Sequence, residues 1–376
     1  MPADAREDSP SGEAACSRDT VLEATGMGLE SIRYAPKRFA QILGLTSRAL
    51  ADAEATGALN ALRPVEPGET KPTYSPADLA RYREVLGLKP PRLPFTRQLF
   101  LNFKGGTGKT SVSTSYAFRL AERGYRVLLL DLDSQGHATK CLGLDGDNYT
   151  RTLADALIKR VPLRDVRVPT GYPGLDIVPS NLSMSTVDLA LMPLAGREFR
   201  LRNALKDTES EYDVVIMDAP PSFGLLNLNA LIAANVLIIP VLADFLSFHG
   251  LKLLFETVQS LEEDLQHTLD DIFIAINGFN ATYKIAKEAK EALEKHYPEF
   301  LLKSYIRQCS KFAQASSEGT PVFAYDAESK GAEDVEAVLD EITARLVSAH
   351  QAPAAPGPAV NDVVNEPANV SVAAGR

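Results

Sequence analysis

From Arg97 onward, short apolar runs alternate with amphipathic stretches. Residues 99–103, 127–132, 214–218, 236–241 and 272–277 are apolar and strand-sized, and the stretches between them carry helical spacing. That alternation predicts βαβ units, hence an α/β fold with a mostly parallel sheet flanked by helices. Residues 31–88 read differently, as helical patterns broken by a turn-rich stretch at 63–73. Between the two textures lies Lys89-Pro90-Pro91-Arg92-Leu93-Pro94. Proline removes backbone donors and stiffens the chain, so 89–96 is expected to be a linker. Residues 1–30, rich in Ala, Glu, Asp, Ser and Gly, show no periodicity, and 348–376 are dominated by Ala, Pro, Val and Asn. Both ends are expected to be disordered, leaving a small helical domain at 31–88 and an α/β domain at 97–347.

Composition narrows the class. The 376 residues are 45% apolar, enough to bury a sizeable core and to form about two domains. Cys16, Cys141 and Cys309 are too scattered for a disulfide framework or a metal cluster, which points to a reducing cytosol. The apolar runs are far shorter than a bilayer span, and the N-terminus lacks the basic start and apolar stretch of a secretory signal. A soluble intracellular protein is expected. A net charge of −10 argues against a surface coated for nucleic acid, but leaves room for a local basic patch.

Between the apolar run at 99–103 and the helical stretch at 110–120 stands Lys104-Gly105-Gly106-Thr107-Gly108-Lys109-Thr110-Ser111. Glycines there let backbone N–H groups turn inward around phosphate oxygens, and the following helix presents its positive N-terminus. Lys109 brings a charge to the terminal phosphates, and the Thr110 hydroxyl can ligate Mg²⁺. The segment is a phosphate-binding loop for a nucleoside triphosphate, with ATP and Mg²⁺ as the expected cofactors.

The usual loop has glycine where Phe103 stands, and here a second lysine, Lys104, precedes the double glycine. This resembles the deviant Walker A box of the ParA/MinD family of ATPases. The resemblance implies that Lys104 acts in trans, reaching the partner's nucleotide so that ATP joins two subunits face to face.

Two acidic motifs follow. The run at 127–130 leads into Asp131-Leu132-Asp133-Ser134-Gln135-Gly136, which delivers two carboxylates at a strand end, where open α/β sheets bind ligands. Asp131 is a candidate metal ligand. The segment is similar to the family's D-x-D-P-Q-G box, with Ser134 in place of proline, and the resemblance makes Asp133 the residue that positions the attacking water. Tyr212-Asp213-Val214-Val215-Ile216-Met217-Asp218-Ala219-Pro220-Pro221 looks like the Walker B segment, ending in Asp218, suited to hold Mg²⁺ through a water. The similarity covers about residues 97–347.

Within the family, Cys141 and Cys309 do not sit in the motifs of the nitrogenase iron protein. Residues 351–376 lack the basic amphipathic helix by which MinD-like proteins dock on lipid, so no membrane partner is expected. The ParA branch implies non-specific DNA binding by the ATP-bound homodimer. Lys311 occupies the place of a family DNA-binding arginine, and Lys284 lies in a second such region. Lys287, Lys290 and Lys295 follow on a helix whose expected apolar face is Ile285, Ala289 and Leu293, with Glu288, Glu291 and Glu294 interleaved as ion-pair partners.

In the N-terminal part, residues 39–50 read as helix, Gly44 turn, then a second helix with Thr46 as N-cap. This resembles a MerR-type winged helix-turn-helix, with 46–56 as recognition helix and Arg48 as its one basic contact. A helical adaptor for a partner protein fits the same residues. Three functions follow: a ParA-like positioning ATPase released from nucleoid DNA when a ParB-like or cargo-adaptor protein stimulates hydrolysis; an ATP-switched, sequence-specific DNA-binding regulator; or a metabolic ATP-dependent ligase.

Overall fold

In the computed structural model, residues 20–21, 28–55, 59 and 72–351 are described. Most of what is expected to be disordered at either end lies outside them, as do Cys16 and most of the turn-rich stretch at 63–73. In chain order the elements are β1 (Thr20–Val21), β2 (Arg33–Tyr34), α1 (Pro36–Ile42), α2 (Ser47–Ala55), α3 (Pro76–Leu86), β3 (Thr96–Phe100), α4 (Lys109–Glu122), β4 (Val127–Asp131), α5 (His137–Lys140) and α6 (Leu153–Lys159). There follow β5 (Val168–Pro169), β6 (Leu175–Val178), α7 (Val187–Leu191), α8 (Arg200–Ala204), β7 (Val214–Asp218), α9 (Leu225–Ala233), β8 (Val236–Leu242), α10 (Leu246–Leu265), β9 (Asp271–Asn277), α11 (Lys284–His296), α12 (Lys311–Ser317), α13 (Val322–Tyr325) and α14 (Lys330–Gln351). Helix α14 runs past the expected end of the globular part at Val347.

Seven strands form one sheet in the order β5-β6-β4-β7-β3-β8-β9, parallel except where β5 pairs antiparallel with β6. Alternation along the strands divides the core in two. Leu128 and Leu130 face one layer, and Val127 and Leu129 the other. Burial on both faces explains why these strands read as continuous apolar runs rather than alternating ones. β3 occupies Thr96–Phe100, where its backbone pairs with β7 over Val214–Asp218, not the 99–103 of the apolar run; Gln98 is buried with its Nε2 donating to Thr96 Oγ1 at 2.9 Å. The register sets Asp131 beside Asp218, and Asp218 beside Phe100, at the sheet's carboxyl edge.

The N-terminal helices share the second of these layers. Phe39 stacks on Tyr74 at 4.0 Å and meets Tyr82 edge-on at 5.0 Å, and Leu29, Ile32 and Tyr34 join the same cluster as Tyr116 and Phe118 of α4. Glu54, buried on the inner side of α2, accepts from Tyr74 Oη and Tyr82 Oη at 2.7 and 2.8 Å. The Ser75–Asp78 capping box starts α3, and Gly87, at φ 64°, ends it. The Pro-rich stretch lies against this body, with Tyr125 Oη donating to the Pro91 carbonyl at 2.7 Å. No helix among the described residues is long and apolar enough to cross a membrane.

Candidate active site

The loop after β3 is braced from two neighbouring strands. Asn102 donates to the Pro240 carbonyl at 2.8 Å and accepts from the Lys104 N–H at 2.9 Å. From the end of β9, Asn277 Nδ2 donates to the Thr107 carbonyl at 2.8 Å. Gly106 and Gly108 sit at φ 75° and 85°, where a side chain is strained. At Gly108 a Cβ would lie 2.1 Å from Asn277 Nδ2, so glycine is required twice over. Gly105 and Gly106 are exposed, and α4 begins at Lys109.

Lys109 is buried and curls back over the loop, its Nζ donating to the Lys104 carbonyl at 3.3 Å. Burial lowers its pKa, while Asp218 and Asp133 pull the other way. Thr107 is fully buried and its Oγ1 has no partner among the described residues. A curved main chain, an ammonium held by one carbonyl and an unpaired hydroxyl form a donor set that fits a polyphosphate. Ser111 closes the motif in the first turn of α4.

Asp218 is fully buried and accepts from Thr110 Oγ1 at 2.7 Å and Ser113 Oγ at 3.0 Å. Burial pushes its pKa up to about 6, against the pull of those two hydroxyls and Lys109. Asp131, its neighbour in register, is pushed up to about 7 by burial and then by Asp218. Two adjacent buried carboxylates are costly unless a cation shares the space, and Thr110 with Asp218 fits Mg²⁺ by donor chemistry. Asp131 is turned to α5, accepting from the Thr139 N–H and Oγ1, both at 2.8 Å, and from the Asp133 N–H at 3.2 Å. Asp133 is half-buried at the loop's start. It accepts from the Gln135 N–H at 3.0 Å, and its carbonyl accepts from Ser180 Oγ at 2.6 Å.

Lys104 points elsewhere. Its Nζ bonds Asp244 Oδ2 at 2.6 Å, on the loop after β8, and both side chains are about a third exposed. Asp244 is fixed in turn by the Ser247 N–H and Oγ, each at 2.9 Å. Asp244, Asn277, Asn102 and Ser113 are site residues that the motifs did not name. The signal for two of them was present: Asn102 and Asn277 are the polar residues near or at the ends of apolar runs.

The candidate DNA contacts are scattered. Lys311, first residue of α12, is turned inward, 3.3 Å from Asp326 Oδ2 and 5.4 Å over the Tyr325 ring. Lys284 and Lys287 stand exposed at the start of α11, Lys284 3.4 Å from Glu288. The segments leading into α11 and α12 are joined by Asn280 Nδ2 donating to Gln308 Oε1 at 3.0 Å. The buried stripe of α11 is Ala286, Ala289 and Leu293, whereas Ile285, expected on it, is 54% exposed. Spacings of three and four from Ala286 make one stripe, and Ile285 falls off its edge. Arg48 is on α2, exposed and 3.9 Å from Asp52.

The family model described as an AAA domain matches residues 98–271. The chain is 62% identical over 322 residues to the cell division protein PomZ of Myxococcus xanthus, covering 85% of this chain and 96% of that one. It is 34% identical to the chromosome partitioning protein ParA of the same organism, over 65% of this chain and 86% of that one. Among solved structures it resembles cobyrinic acid a,c-diamide synthase from Mycobacterium smegmatis with bound ATP analogue and magnesium. That match has a TM-score of 0.59 and 27% identity, and covers 69% of this chain and 99% of that one. With the loop, the paired acids and these relatives together, the chain belongs to the ParA-type partition and positioning ATPases and takes ATP and Mg²⁺ as its cofactors.

Proposed function

We propose that the chain is a positioning ATPase whose ATP-bound form is a sandwich homodimer that holds DNA without sequence preference. A partner, ParB-like or a cargo adaptor, stimulates hydrolysis of ATP to ADP and phosphate, which releases the DNA. The observation that carries this reading is the divergence of the two lysines. Lys109 fills the chain's own cradle, while Lys104 leaves it for the rim and Asp244. A partly exposed ammonium at the rim is suited to a second subunit's phosphates. Gly105, Gly106, Thr107, Gly108 and Ser111 wrap the phosphates, and Thr110 with Asp218 holds Mg²⁺, which lowers the charge repulsion among them. Asp133 orients the attacking water, and Asp131, tied to Thr139, shapes the loop that carries it. The basic residues at the starts of α11 and α12, Lys284, Lys287 and Lys311, meet the DNA backbone.

The name of the 62% identical relative favours a cell-division cargo over a chromosome or plasmid. A helix-turn-helix-like reading of residues 31–88 is supported by α1 and α2 standing either side of the Gly44 turn, at φ 72°. The exposed residues of α2 are Ser47, Arg48 beside Asp52, and three alanines, which favours a packing or adaptor role over operator reading. The ligase alternative rests on the likeness to the diamide synthase, which is far weaker than the likeness to the division protein.

The test is binding to random-sequence duplex DNA, with light scattering for mass, under ATP, ADP or no nucleotide. Dimer formation and DNA binding with ATP alone support the reading. DNA binding indifferent to nucleotide, or a footprint at one preferred sequence, would move it to the regulator.

A further inference from the structure

A second basic concavity lies at the other end of the sheet. The phosphate loop follows the carboxyl end of β3. A cavity of 590 Å³ instead opens at the amino ends of β4 and β7, beside Leu128 and Tyr212. Five basic side chains line it, Arg160, Arg164, Arg167, Arg200 and Lys206, against two carboxylates, Asp207 and Glu211. In a chain of net charge −10 that local excess is unusual. Elsewhere several arginines are matched by carboxylates: Arg38 by Glu122, Arg119 and Arg123 by Glu336, Arg307 by Asp334, Arg345 by Glu341.

In the cavity the matching is incomplete. Glu211 is taken by Arg167 at 2.6 Å. Arg164 reaches only the exposed Asp165, at 3.9 Å. Among the described residues Arg160 and Lys206 have no ion-pair partner. Arg200 donates from Nη2 to the Ala195 carbonyl at 3.1 Å, and its Nε is buried with no partner. Arg160 also caps α6 at φ 58°, a left-handed conformation in which glycine or asparagine would cost less. The floor is apolar, with Leu128, Leu163 and Phe199.

From these observations we propose that the cavity is a second anion site, which binds a nucleotide-sized ligand carrying two or more phosphate groups. Guanidinium forks match phosphate oxygens in pairs, the volume is that of a small-ligand pocket, and the apolar floor suits a ring. The site is separate from the phosphate loop, so its occupancy can regulate the ATPase without competing for its cradle.

The test is equilibrium dialysis of the full chain with labelled AMPPNP and Mg²⁺, counting equivalents bound per chain. Wild type is expected to bind two, the second displaced by inorganic pyrophosphate. Arg160→Gly combined with Lys206→Ala should weaken the second equivalent at least tenfold and spare the first. Both residues are exposed, and glycine adopts the backbone of residue 160 without strain, so folding is preserved. Lys109→Ala should do the reverse. A single equivalent in wild type at millimolar nucleotide would overturn the proposal. So would a second equivalent unchanged in the double variant, or a double variant that loses only duplex DNA.

Discussion

Arg38 of α1 donates to Glu122, the last residue of α4, at 3.0 Å, and thereby ties the N-terminal helices to the helix that starts at the phosphate loop. Glu122 is fully buried, and Arg83 of α3 adds a bond from Nη2 to its carbonyl at 2.6 Å. Tyr34 and Tyr172 close the same contact through their hydroxyls at 2.9 Å. Removing one partner of a buried pair strands the other charge, which costs about 3–5 kcal/mol. Arg119 also meets Glu122, so the lower end applies. Arg38→Met is expected to lower unfolding stability by about 3 kcal/mol in urea melts while ATP affinity changes little. A chain shortened to begin at residue 89 should lose more. If either variant melts like wild type, the helices do not brace α4.

A second fastening makes stability depend on acid. Burial raises the pKa of Glu336 on α14, but the hydrogen bonds and charges of Arg119 and Arg123 outweigh it, and the carboxyl falls to about 2. A carboxylate whose folded pKa lies below its unfolded value of about 4.3 adds stability that is full above that value. That contribution is lost as pH falls towards 2. Glu336 is 28% exposed, so solvent screening trims the contribution to on the order of 2 kcal/mol. Glu336→Gln is expected to be less stable than wild type at pH 7 by that amount. The gap should close between about pH 5 and pH 2. A gap constant with pH would show that the loss is one of packing.

Contiguous motifs were legible because their residues are neighbours in the chain and need only a strand before and a helix after. The loop at 104–111, Asp131, Asp133 and Asp218 fall together at the sheet's carboxyl edge for that reason. Their braces come from remote strands. Asn277 reaches Thr107, and Asp244 holds Lys104, through a strand order that no local pattern encodes. β6 has only Leu175–Val178 between turns, and β5 contains Pro169, so neither stood out as an apolar run. The docking of α1 depends on Arg38 finding Glu122 across the fold, which residue types alone do not announce.

The two lysines predict separable defects. Lys109→Ala should abolish ATP binding in the phosphate loop, because the buried ammonium belongs to that cradle itself. Lys104→Ala should keep nucleotide binding and lose ATP-dependent dimerisation. Asp133→Ala should keep both and slow hydrolysis by roughly 10²-fold or more, the usual contribution of a positioned acid–base group. The dimer and its DNA complex would then outlive those of wild type in a dissociation assay. Nucleotide titration, light scattering and phosphate release separate the three. A Lys104→Ala protein that still dimerises with ATP would remove the trans role.

Lys311 offers the sharpest test of the DNA surface, because it is held back by its own partner. Its ammonium lies 3.3 Å from Asp326, which is buried, and over Tyr325, so contact with a phosphate requires that it swing out. Lys311→Glu should weaken ATP-dependent binding to random-sequence DNA and reduce the slope of log affinity against log salt by about 1. Dimerisation with ATP should persist. Asp326→Asn should act in the opposite sense, releasing the lysine and strengthening binding modestly. If Asp326→Asn weakens binding as Lys311→Glu does, the pair supports the local structure of α12 and α13. The DNA would then be held by Lys284 and Lys287, whose reversal to glutamate would carry the salt dependence instead.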